Sequence, residues 1–545
     1  MNEFVTSAIR KHASYRRHAL DNGASLGALA FAREKLRAAA QVRFALGDSV
    51  WMWLIVALSL AARLIRIDHQ PLWLDEALTL KRIHMGLGGL MADSFTNRHM
   101  PTYFLLLRLA SRFLGPGDAW LRIPSALFGA MSAGMVFIIA RRLGSRTASI
   151  VAGLLMALSP LQVQYGQEAR SYTLVTLLIA VALWGLLRLA GNPSRASMDI
   201  RSVESDRLGW GAYVLGTIAA LDVLGDAVPW LIASNLSLLL IWRSLRAVPQ
   251  TQGALARNWT WSAALIVACT VPFYCAIIAA SDGHMLQKFD WIPELSWQHM
   301  WVVVGSVYLM RMLAVVKFDL MHTAVPLLSM LIALAALSGL LRMRGKLEGR
   351  VLLLSVLVLP LLVLVMSLFK SMLLPRYVLW SAAPFFVMAG LGVDVLPRRM
   401  LATVAALWLV LGVVNLGPVY RIETKPRWDM AAATLAAKVR PGDTVFTADP
   451  NAPTMLSVLQ PKDGLPIEAS AMVTSQLDEA LARWRQGSRV WAVNGRSALG
   501  QREDLADFKN RIGALGTPVV EIPQGKEITI LMFPAPDEAD ETEAN

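Results

Sequence analysis

The sequence predicts an α-helical polytopic membrane protein that carries a small C-terminal α/β domain. Three observations predict it. Apolar runs long enough to cross a bilayer recur from about residue 50 to 418. Clusters of Arg and Lys fall on alternate connections between these runs. After Pro418 the composition turns into that of a soluble domain. The chain is 55% hydrophobic with a mean hydropathy of +0.48, which excludes an ordinary soluble protein.

Residues 1–48 are polar, carry Arg10, Lys11, Arg16, Arg17, Arg33, Lys35, Arg37 and Arg43, and lack an apolar core before Trp51. They read as a cytoplasmic basic segment, with amphipathic helices suited to the inner leaflet, rather than as a cleavable signal. The first span, about 50–66, then leads outward into a first outer loop at 67–119. Spans follow at about 120–140, back to Pro160, and at 172–190, with two shorter ones on either side of Asp222 and Asp226. Further runs occupy about 260–280, 321–341, 351–369, 377–396 and 400–418. This arrangement puts the short clusters Arg141/Arg142/Arg146, Arg188/Arg195/Arg201/Arg207, Arg243/Arg246/Arg257, Arg342/Arg344/Lys346/Arg350 and Arg398/Arg399 on the cytoplasmic side. The count is about 11 spans, or 13 if the apolar stretches 102–114 and 298–316 also cross. An odd count places the C-terminus outside. Lys81, Arg82, Arg98 and Arg108 depart from the charge rule, which tolerates basic residues in longer loops.

The transmembrane domain thus covers 49–418, and an extracytoplasmic α/β domain covers 419–535. Its strands are read at Thr444–Thr447, at 489–493, at 519–522 and at Ile528–Phe533, with helical periodicity at 428–439 and 476–485. Pro441-Gly442-Asp443 turns helix into strand. The tail, 536–545, is acidic and expected to be disordered. No internal repeat is evident. The net charge of +13 suits anionic headgroups and topology rather than nucleic acid, because the basic residues sit between apolar runs. Cys269 and Cys275 share one apolar segment, six apart, and read as buried thiols.

Polar residues collect on one predicted side. Trp73-Leu74-Asp75-Glu76-Ala77 puts two carboxylates just beyond the first span, where charge is costly and therefore points to function. Asn97-Arg98-His99-Met100-Pro101-Thr102-Tyr103 closes the first outer loop. Gln164 to Tyr172, with Glu168 and Arg170, joins the third and fourth spans, and Pro375-Arg376-Tyr377 joins the ninth and tenth. A carboxylate can take a proton from an attacking hydroxyl, and arginines can hold a leaving phosphate.

In these four elements, taken in order, the sequence resembles the GT-C fold glycosyltransferases related to protein O-mannosyltransferases and to the lipid A aminoarabinose transferase. Leu121-Arg122-Ile123-Pro124-Ser125 also fits that style. The resemblance covers roughly 50–190 and, more thinly, 370–395. It implies transfer of a sugar from a polyprenyl-phosphate donor to a lipid, glycan or protein acceptor at the outer face of a bacterial inner membrane, with inversion at the anomeric centre. Asp75 then corresponds to the acid of the first loop, the expected base. Glu76 stands beside it in the catalytic pair, about 100° away on a helix, as a structural or metal-facing partner. His99, Tyr103, Glu168, Arg170, Tyr172, Lys370, Arg376 and Tyr377 are the expected substrate contacts. Arg170 and Arg376 face the phosphate, with Lys370 a second candidate.

No His/Asp cluster has convincing ligand spacing, so no metal is expected as obligatory, although a divalent ion is compatible with the fold. Two departures concern the donor pocket: Met100-Pro101 replaces paired prolines, and Gly225-Asp226-Ala227 stands where relatives often carry His-Tyr. The outer loop 281–297, with Asp282, His284, Lys288, Asp290, Trp291 and Glu294, is a candidate for acceptor contacts. Two other classes compete: a transporter or flippase of lipid-linked sugars, and a non-catalytic envelope scaffold. The missing repeat and the outer domain speak against the first, and the ordered polar set against the second.

Overall fold

The structure is a computed structural model that describes residues 47–114, 118–191, 206–280, 292–311, 321–460, 469–471, 474–497, 505–518, 520–524 and 527–537. The basic segment before Gly47, most of the loop 281–297 and the tail beyond Asp537 lie outside the described residues. The chain divides into two compact units, Met1–Leu54 and Ile55–Asn545. All contacts given below lie within the second.

Among the described residues nine helices are long and apolar enough to cross a membrane, and ten if the bent pair Arg146–Leu158 and Pro160–Gly166 is one span. Of the 11 to 13 spans expected, nine or ten are thus found by length and composition among the described residues. Arg207–Val223 has only 17 helical residues and ends at Leu224, ahead of the short turn Gly225–Ala227. Thr102–Leu114 and Trp297–Tyr308, the two extra stretches, have 13 and 12 residues. At 1.5 Å per residue these reach only about 20 Å, against a hydrocarbon core of about 30 Å. Local hydropathy registered the apolar character of these stretches, but helix length decides whether they span.

The spanning helices leave apolar side chains outward, among them Trp261, Ile278, Leu334 and Leu361. That surface suits lipid, which satisfies no polar backbone and demands closed helices. Small residues bring helices together. A Cβ on Gly392 would lie 1.8 Å from the Ala335 carbonyl oxygen, and one on Gly339 1.9 Å from that of Met388. Only glycine allows Met321–Met343 and Ala382–Val393 to approach this closely.

The C-terminal part forms a five-stranded mixed sheet in the order β2-β1-β3-β5-β4. The strands are β1 (Thr444–Thr447), β2 (Ala469–Ala471), β3 (Val490–Asn494), β4 (Val520–Gln524) and β5 (Ile528–Phe533). β1 runs parallel to β2 and β3, with Val445 opposite Trp491, while β5 is antiparallel to β3 and β4. Strand β2 was not read from the sequence, because Ala-Ser-Ala carries no β-branched or aromatic signal. Alternating side chains fill two cores, as a period of two requires. Trp491, Val493, Ile528 and Ile530 pack with Trp428, Ala432 and Leu456 on one face. Val490, Ala492, Leu531 and Phe533 pack with Phe508 and Ile512 on the other.

The first of these cores is not built from the C-terminal part alone. Ala77, from the helix Leu74–His84 that follows the first span, is buried within it, and Leu74 packs against it. The sheet and the acidic motif of the first loop therefore share one core.

Candidate active site

Asp75 and Glu76 occupy the first turn of the helix Leu74–His84, where carboxylates are favoured by the helix dipole. Adjacent positions on a helix diverge by about 100°, and the two side chains enter different surroundings.

Glu76 is sealed, with no exposed side-chain surface. Arg122 grips it with both arms: Nε donates to Oε1 at 2.8 Å and Nη2 to Oε2 at 2.9 Å. The Ala169 N–H donates to Oε1 at 3.0 Å, and Lys425 Nζ donates to Oε2 at 2.9 Å. Burial pushes the Glu76 carboxyl up, but Lys425, Arg122 and the Ala169 N–H outweigh it and hold the pKa at about 2. Arg122 is itself completed by the carbonyls of Ile67 and Gln70, each 2.8 Å from Nη1. This charge cluster is fully hydrogen-bonded at its centre, the condition under which a buried ion pair is tolerated.

Asp75 is different. Its side chain is 23% exposed, and its Oδ2 accepts from Arg376 Nη1 at 3.0 Å with Arg170 Nη2 3.8 Å away. Burial pushes its carboxyl up, but Arg170, Arg376 and His99 prevail and hold it below the usual carboxylate range. Arg376 lies over the rings of Trp73 and Tyr377, 5.6 and 5.3 Å from their centroids, and Arg170 lies 5.8 Å from that of Tyr172. The two guanidiniums are thus held by aromatic faces while they oppose one carboxylate. Arg376 is 9% exposed, so it is an interior partner of Asp75 rather than a side chain reaching to headgroups.

The other expected residues divide. His99 reaches Asp75 electrostatically, and its place is set by the end of the helix Leu87–Thr96. There the Arg98 N–H bonds to the Phe95 carbonyl and the His99 N–H to that of Ser94, with Arg98 at φ 61°. This is a Schellman closure with arginine where glycine is usual. Tyr103 is buried, its hydroxyl 2.6 Å from Ser125 Oγ, which in turn donates to the Arg170 carbonyl at 3.0 Å. Tyr172 packs edge-on against Tyr165. Glu168 is buried and reaches Lys425 at 3.2 Å instead of pairing with Arg170. Burial, joined by Glu76, pushes its carboxyl up against the pull of Lys425. Lys370 is half-buried after the helix Leu347–Ser367.

Four participants were not singled out as site residues from the sequence. Arg122 stands in a motif that was noted only for its style, and Lys425 lies in the connection after the last span. Gln70 accepts from the Thr424 N–H at 3.0 Å and donates to the Ile422 carbonyl at 2.6 Å. Asp226 lies within electrostatic reach of Arg170 and Arg376, and its buried Oδ2 lacks a hydrogen-bond partner. A costly charge at a span end was available as a signal for Arg122 and Asp226. For Lys425 there was none.

The arginines that broke the charge rule in the first loop are braces within it. Arg82 pairs with Asp93 at 2.6 Å and lies over Phe104, and Arg108 donates to the carbonyls of Ile83 and Met85.

Among the described residues no group of three His, Cys, Asp or Glu is arranged to hold a metal ion. Asp75 faces two guanidiniums and Glu76 is enclosed by Arg122 and Lys425, so this donor set does not fit a cation and no chemical step is derived through one.

Residues 98–197 match the family described as dolichyl-phosphate-mannose-protein mannosyltransferase. No curated protein matches the chain. Among solved structures the fold is similar to ArnT from Cupriavidus metallidurans bound to undecaprenyl phosphate, with a TM-score of 0.56 at 13% identity over 90% of this chain and 99% of that one. The apo state of the same protein gives the same values. The apo oligosaccharyltransferase of Archaeoglobus fulgidus matches at a TM-score of 0.45 and 11% identity, over 82% of this chain and 69% of that one. The fold is that of a multi-pass membrane protein of GT-C-like architecture. The segment that the family model matches contains His99, Tyr103, Arg122, Glu168, Arg170 and Tyr172.

Proposed function

We propose that the protein is a membrane glycosyltransferase that moves a sugar from a polyprenyl-phosphate donor to a lipid, glycan or protein acceptor. The observation that carries this reading is the meeting of Asp75, Arg376 and Arg170, from three distant parts of the chain, in a partly open site of a GT-C-like fold. A similar fold, ArnT, has been solved with undecaprenyl phosphate bound.

In this reading the donor phosphate exchanges for Asp75 as the partner of Arg170 and Arg376. Guanidiniums bind phosphate oxygens in forked geometry and stabilise the charge that grows as phosphate leaves. While both arginines face it, Asp75 is a weak base; their transfer to the phosphate raises its basicity when the substrate is in place. Asp75 then takes the proton of the acceptor hydroxyl. The acceptor oxygen forms its bond to the anomeric carbon as the carbon–oxygen bond to phosphate breaks, and polyprenyl phosphate departs with the bonding electrons. A single displacement of this kind inverts the anomeric centre. His99, Tyr103, Tyr172 and Tyr377 shape the pocket, while Glu76 and Glu168 hold its floor. The Arg/Lys pattern supports a cytoplasmic N-terminus and a site on the extracytoplasmic side of a bacterial inner membrane.

The test is purified protein with a labelled polyprenyl-phosphate sugar and candidate acceptors. Transfer that is lost in Asp75→Asn is the expected result. Translocation of the sugar-lipid across a vesicle bilayer without any transfer would identify a flippase and end the enzyme reading.

A further inference from the structure

The connection between the last span and the C-terminal sheet is fastened to the acidic motif at several points. Tyr420 donates to the Ala62 carbonyl at 2.5 Å at the end of the first span. The Gln70 amide holds the backbone of Ile422 and Thr424 from both sides. Lys425 Nζ then inserts between Glu76 and Glu168, 2.9 and 3.2 Å from their oxygens and 5.3 Å from the Trp73 ring centroid. Three residues on, Trp428 enters the sheet core that also buries Ala77.

The geometry of these contacts has one consequence for the chemistry. Glu76 and Glu168 adjoin the two groups at issue: Asp75 follows Leu74 one position before Glu76, and Arg170 stands two positions after Glu168. The Ala169 N–H is itself tied to Glu76. Lys425 is the cation common to both carboxylates, so it links the Asp75 helix to the Arg170 loop. Glu168 is 2% exposed and its Oε2 has no hydrogen-bond partner, so little besides Lys425 compensates its charge.

We infer that Lys425 is a positioning residue through which the C-terminal domain sets the placement of Asp75 and Arg170. The domain on this account is part of the catalytic apparatus and not an appended module, since its seating and the site's geometry share one set of contacts. The inference rests on the glycosyltransferase reading for its kinetic consequence, and on the contacts alone for its structural one.

The experiment compares the full-length wild type, Lys425→Met, Glu168→Gln and the double variant in the same detergent or vesicles. Sugar transfer and hydrogen exchange of the peptides covering 74–84 and 164–171 are both measured. Lys425→Met is expected to lower kcat by about 10- to 100-fold, as removal of a charged hydrogen-bond partner does, with KM for the donor changed less than about threefold. Exchange at 74–84 and 164–171 should quicken while the β3 and β5 peptides keep their protection. Adding Glu168→Gln should recover about fivefold or more of the lost kcat, because the buried charge left behind by the first change is removed. A packing role alone would give no such rescue. A Lys425→Met enzyme within about twofold of wild type, or a double variant no better than the single one, overturns the inference. If Lys425→Met does not fold, Gln70→Ala loosens the same connection without touching a charge, and unchanged exchange at 74–84 in that variant overturns it as well. A wild type that transfers no sugar defeats the glycosyltransferase reading instead, and the exchange data then decide the structural link by themselves.

Discussion

Asp75 and Glu76 are neighbours in sequence and belong to two regions that obey different rules. Around Glu76 every oxygen is occupied by Arg122, Lys425 or the Ala169 N–H, and no water reaches it. Around Asp75 two guanidiniums face one partly exposed oxygen, with Arg170 at 3.8 Å, beyond hydrogen-bond distance. The inner region is saturated and rigid, which makes it a support. The outer one is partly exposed and holds a buried Arg170 Nε without a hydrogen-bond partner, which makes it the candidate site. One residue step within a single helical turn thus separates a sealed charge cluster from a partly open one.

The comparison can be broken most severely at Asp75. Asp75→Asn is expected to reduce sugar transfer by about 10²- to 10⁴-fold, the range of a general base, with little change in melting temperature. Glu76→Gln should do the reverse. It leaves Arg122 and Lys425 without their carboxylate and is expected to cost about 3–5 kcal/mol of stability, read as a lowered thermal midpoint. A Glu76→Gln protein that melts normally yet fails to transfer sugar would reverse the assignment of the two regions.

The pH dependence of stability sharpens the same contrast. The Glu76 pKa falls from 4.5 to about 2 on folding. A carboxyl with a depressed folded pKa contributes stability that is fully present above its unfolded value and is lost as the pH falls through the folded one. The window is therefore from about pH 4.5 down to about 2, and the contribution is about 3 kcal/mol at neutral pH. Glu168, shifted upward, has the opposite sign: its ionised form weakens the fold, and acid relieves that as it protonates. Unfolding midpoints across this window should fall with acid in the wild type and flatten in Glu76→Gln.

Smaller effects are expected further out. Arg376→Lys keeps the charge but loses the fork and the aromatic stacking, so KM for the donor should rise about tenfold in a steady-state assay. Lys370→Ala, at a half-buried residue beyond the end of the helix Leu347–Ser367, should alter transfer less than about threefold. A larger loss there would extend the phosphate-facing set to Lys370.

Much of this was legible in the sequence, and for identifiable reasons. The spans announce themselves because hydrocarbon demands long apolar helices. The strands at Thr444–Thr447 and Ile528–Phe533 coincide with apolar runs because both faces of the sheet are covered. Asp75, Arg170 and Arg376 stood out as charges at span ends. Ala469–Ala471 did not, since its small residues owe their conformation to pairing with β1. Lys425 looked like any other basic residue in a connection.

The sequence by itself determined the class of the molecule, because burial in lipid or in a sheet core imposes periodicities and compositions that a linear reading can detect. It also nominated the ends of the spans as the place for charge. Only the tertiary structure decided how those charges divide. Whether a carboxylate becomes a sealed brace or an open partner depends on residues 46 to 349 positions away, as Arg122 and Lys425 are from Glu76. Electrostatics in a low-dielectric interior acts through distance in space, and distance along the chain carries almost none of it.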